Sequence, residues 1–77
     1  GRFTLERAKE LAGRAEKEAD PVAAVWRSVY GREPEAAESE RARAFLDKQT
    51  AHLGSRGAAM VELARGLYNT NEFLYVE

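Results

Sequence analysis

Residues 20–34 read Asp20-Pro21-Val22-Ala23-Ala24-Val25-Trp26-Arg27-Ser28-Val29-Tyr30-Gly31-Arg32-Glu33-Pro34. The stretch spells a short helix with both of its ends. Asp20 is a residue type that caps a helix, and Pro21 suits the first helical position because its missing N–H would be unpaired there anyway. Val22, Val25, Trp26 and Val29 fall on one face at helical spacing. Gly31 ends the helix in the left-handed conformation that glycine adopts without penalty, and Pro34 blocks any continuation. The spacing therefore predicts a helix over Pro21–Tyr30.

The same period runs outward in both directions. Upstream, Leu5, Ala8, Leu11, Ala12 and Ala15 share a face, which predicts a helix from Thr4 as N-cap to Ala19, with Glu10 and Arg14 paired at i,i+4 on the solvent side. Downstream, a third helix is expected over Glu35–His52. Glu38, Ala42, Phe45, Leu46 and Gln49 share its inner face, and Glu38–Arg41, Glu40–Arg43 and Arg43–Asp47 lace its outer surface. Gly54-Ser55-Arg56-Gly57 reads as a loop. A fourth helix over Ala58–Tyr68 carries the stripe Met60, Leu63, Ala64 and Leu67. Asn69 is expected to end it in a left-handed conformation. Thr70 or Asn71 would then cap a closing turn of Phe73, Leu74 and Tyr75 that folds back on the bundle. Strand signals are nearly absent: Ile does not occur, and no stretch alternates for more than a few residues. The expected fold class is all-α, a small compact bundle of about four helices with a C-terminal turn packed back on it.

The chain has 77 residues, enough for a single helical domain over 1–77 and too few for two. It has no cysteine, so neither a disulfide nor a thiolate metal site is available. Its 12 basic residues nearly cancel 13 acidic ones, and the net charge of −1 provides no long-range field for nucleic acid or an anionic membrane. No apolar run approaches the ~20 residues of a membrane span, and no leader pattern opens the chain. Gly1 precedes a helical pattern already under way, so the chain reads as a piece cut from a longer protein.

No pattern of catalytic, cofactor-binding or metal-ligating residues emerges. His52 stands alone: the positions three and four residues away hold Lys48, Gln49, Ser55 and Arg56, none of them a partner ligand. It reads as a surface histidine near a helix C-terminus. Glu33, Glu35, Glu38 and Glu40 form an acidic cluster of the kind that serves acid–base chemistry or a divalent cation, but carboxylates at a helix start are also what the helix dipole favours. Arg41, Arg43 and Lys48 are interrupted by Asp47, follow directly on Glu40 and lack an aromatic platform, so they make no nucleic-acid face. The Gly54–Gly57 segment lacks the lysine and strand of a phosphate loop. Trp26 and Tyr30, one turn apart, read as core with polar edges. Tyr68, Phe73 and Tyr75 are either core or an interface.

Two segments carry a resemblance. Val25-Trp26-Arg27-Ser28-Val29-Tyr30-Gly31-Arg32-Glu33-Pro34 resembles a motif aliphatic–aromatic–x–x–aliphatic–aliphatic–Gly–Arg–x–Pro. Leu67-Tyr68-Asn69-Thr70-Asn71-Glu72-Phe73-Leu74-Tyr75-Val76 resembles an ending Leu–Leu–Asn–Ser–Asn–Glu–Phe–Leu–Tyr–Val. In this order, and with the opening Arg2-Phe3-Thr4-Leu5-Glu6-Arg7-Ala8, they look like the C-terminal domain of unknown function of large planctomycete proteins that often also carry a cytochrome-c-like domain. Ser39 and Arg43 stand where that family tends to have leucine, and Tyr30 where an aliphatic residue is usual. The resemblance implies a bacterial, extracytoplasmic or cell-surface parent, and it brings no catalytic residue and no cofactor. The expected role is a structural or protein-interaction module that docks on the rest of its parent chain or on another protein, without nucleic acid and without insertion in a membrane. The alternative is an accessory domain completing the active site of a redox or hydrolytic surface enzyme, with Arg32 and the acidic cluster as its contributions. As architecture, Arg32 is available to helix-end carbonyls or to a carboxylate such as Glu72.

Overall fold

The computed structural model describes the backbone of residues 2–75 and the side chains of residues 4–70. Among them are four helices and no strand: α1 (Arg2–Ala15), α2 (Pro21–Tyr30), α3 (Ala36–Leu53) and α4 (Arg56–Tyr75). The ends of α2 fall where the sequence places them. Asp20 is extended, and its Oδ1 accepts from the Ala23 N–H at 3.2 Å. Gly31 turns left-handed at φ 74° and donates its N–H to the Arg27 carbonyl at 2.9 Å. Gly54 ends α3 in the same way, at φ 79°.

Four expected boundaries are corrected. Thr4 is not a cap: it lies inside α1 and is buried, because it shares the stripe of Ala8, Leu11, Ala12 and Ala15 that faces the core. At its other end α1 stops at Ala15 rather than Ala19. The Lys17 and Glu18 N–H groups reach back three residues, to the carbonyls of Arg14 and Ala15, so the chain tightens as it leaves the helix. Residues 16–20 are all exposed, so no burial holds them helical, and Pro21 pushes Asp20 out of the helical region. The other two concern α4. It starts at Arg56, so the loop shrinks to Gly54 and Ser55, with Ser55 as cap: its Oγ accepts the Ala58 N–H at 3.1 Å. It then runs on through Tyr75. Asn69 is not left-handed, since the only positive-φ residues described are Gly31 and Gly54. Thr70 does not cap a new turn; its hydroxyl donates to the Gly66 carbonyl at 2.9 Å, a bond within the helix. The closing turn over Phe73–Tyr75 is the last turn of α4 itself, and its side chains lie outside the described residues.

Helix α4 is the hub. It packs on α1, on α2 and on α3, whereas α1 and α3 do not touch each other among the described residues. α1 brings Ala8, Leu11, Ala12 and Ala15 to the core; α4 brings Ala59, Met60, Leu63, Ala64 and Tyr68. Alanine is frequent in both sets, which lets the helix backbones approach closely. Leu11, Val25, Leu46 and Met60 are the largest side chains buried completely. Glu16, just past the end of α1, places a carboxylate oxygen 3.5 Å from where a Cβ on Gly57 would stand. It lies beside the first turn of α4, which has no acid of its own and whose dipole favours a negative charge.

Two polar atoms are buried without a hydrogen-bond partner among the described residues, Trp26 Nε1 and Thr50 Oγ1. An unpaired buried group of this kind costs about 1–3 kcal/mol. Thr50→Val is therefore expected to leave urea-unfolding stability unchanged or raise it by up to about 1 kcal/mol. Leu63→Ala is expected to lower it by about 2–5 kcal/mol, and a loss below about 0.5 kcal/mol would contradict the place of Leu63 in the core.

Candidate functional site

The link between α2 and α3 is where the sequence concentrates its charge, and the structure shows how those charges pair. Arg32 makes a two-pronged bridge to Glu38, with its guanidinium nitrogens 2.8 and 2.9 Å from the two carboxylate oxygens. It also donates to the Glu33 carbonyl at 3.0 Å. The Arg32 guanidinium lies 5.7 Å from the centre of the Tyr30 ring. Arg27 spans the same link from the last turn of α2, at 2.9 and 3.2 Å from the Glu33 oxygens. Glu38 further accepts the Glu35 N–H at 2.8 Å, which secures the start of α3. Arg32 thus bonds one carbonyl and one carboxylate, as its position suggests. The carboxylate is Glu38; the Glu72 side chain lies outside the described residues.

These contacts account for three of the four acids in the cluster. Of its four members, Glu33 and Glu38 are held by arginines, and Glu35 sits at the N-cap of α3. Among the described residues no group of three or more acidic, histidine or cysteine side chains is placed to hold a metal ion. His52 is exposed in the last turn of α3. Glu10 and Arg14 pair at 3.9 Å as expected. The lacing expected along α3 is different: Glu38 pairs with Arg32 rather than Arg41. Arg43 reaches across to Asp20, at 3.8 Å, rather than to Glu40 or Asp47. Each of these partners is brought close by the packing of α2 on α3, which spacing along one helix cannot reveal.

Of the aromatic residues with an open placement, Trp26 and Tyr68 belong to the core, while Phe73 and Tyr75 lie outside the described side chains. Trp26 stacks at a tilt on Tyr30, ring centres 5.8 Å apart. Tyr68 lies under the Arg7 guanidinium, 4.7 Å from its ring centre. The residue that leaves the core is Phe45. The sequence places it on the inner face of α3, and the structure leaves it 37% exposed, with Leu53 two turns on 44% exposed. Ala42 and Leu46 take the buried positions instead. Phe45 forms one wall of a groove of about 230 Å³ between α3 and α4, lined further by Glu62, Leu63, Gly66, Leu67 and Thr70. Two other surface clefts, between α1 and α2 and between α2 and α3, are more polar and are lined by arginines with acids beside them. The α3–α4 groove is the apolar one, and it exposes an aromatic ring.

The Arg32 bridge has a pH signature. The Arg32 guanidinium, and after it the Glu35 N–H, hold the Glu38 carboxylate at about 2, below its ordinary 4.5. A carboxylate lowered on folding stabilises the fold above its ordinary pKa and loses that contribution as pH falls through the folded value. Thermal unfolding followed by circular dichroism should therefore show the midpoint falling more steeply in the native chain than in Glu38→Gln as pH drops from about 4.5 to about 2. Parallel acid slopes would contradict the bridge.

No family model, curated protein or solved structure matches the chain.

Proposed function

We propose that this chain is a protein-docking module, the closing domain of a larger extracytoplasmic bacterial protein, which seats on the rest of its parent chain or on a partner protein through the α3–α4 groove. The observation that carries this reading is the exposed Phe45 over an apolar trough of Leu63, Gly66 and Leu67. A small bundle has little apolar surface to give away. An aromatic ring left partly out of the core is the kind of anchor on which interfaces concentrate their binding energy. The charged link between α2 and α3 supports the same reading, since its arginines are engaged in holding helices together. The resemblance of residues 25–34 and 67–76 to the end of large planctomycete proteins supplies the parent. No helix among the described residues is long and apolar enough to cross a membrane.

Calorimetric titration of the 77-residue chain into its parent protein lacking these residues tests the reading. Binding of micromolar strength or tighter is expected, about −8 kcal/mol. Phe45→Ser is expected to weaken it by at least 1 kcal/mol while leaving the helical circular dichroism intact. Absence of binding by a folded native chain would contradict docking on the parent.

A further inference from the structure

We draw no further inference here: the strongest candidate, the apolar groove between α3 and α4 lined by Phe45, Leu63, Gly66 and Leu67, belongs to the docking site already described, and nothing in the structure shows what covers it.

Discussion

Everything in this domain depends on α4 being buried from two sides at once. α1 and α3 do not meet, so each has α4 as its principal partner, and α2 closes the remaining side. A chain of this size has little apolar surface to commit, and it concentrates that surface on the faces of one helix. The residues chosen fit the constraint. Ala59 and Ala64 on α4, with Ala8, Ala12 and Ala15 on α1, let backbones approach, while Leu11, Leu46 and Met60 fill the space between. Loss of α4 would leave α1 and α3 with only α2 to pack on.

Electrostatics plays a different part. The ion pairs of the α2–α3 link are exposed on at least one side, and exposed pairs contribute little net stability. What they provide is direction. Arg27 grips Glu33 and Arg32 grips Glu38, so the chain between Gly31 and Glu35 has one path from the end of α2 to the start of α3. That path sets how α3 follows α2. The Gly31-Arg32-Glu33-Pro34 segment is thus understood as the joint between α2 and α3.

Much of this was legible in the residues. The limits of α2 follow from Asp20, Pro21 and Gly31, each acting within its own turn, and the apolar stripes of α1 and α4 follow from helical spacing. The run Asn69-Thr70-Asn71 misled because its residues favour helix ends locally; within α4 their local preference is overridden by a helix already fixed through Tyr68 in the core. Phe45 misled for another reason. Periodicity gives the direction of a stripe and not its edge, and Phe45 lies just beyond the edge, with Ala42 and Leu46 inside it. The pairs Arg32–Glu38 and Arg43–Asp20 were out of reach, since only the packing of one helix on another brings such partners together.

The account makes α4 the last element to come apart. Native-state hydrogen exchange of its central amides, from Met60 to Leu67, tests this most directly. If α4 is the shared partner of the other helices, these amides open only when the whole domain unfolds, with the free energy that denaturant unfolding gives. If they exchange at a lower free energy while the amides of α1 stay protected, α4 does not hold the bundle together and the account fails.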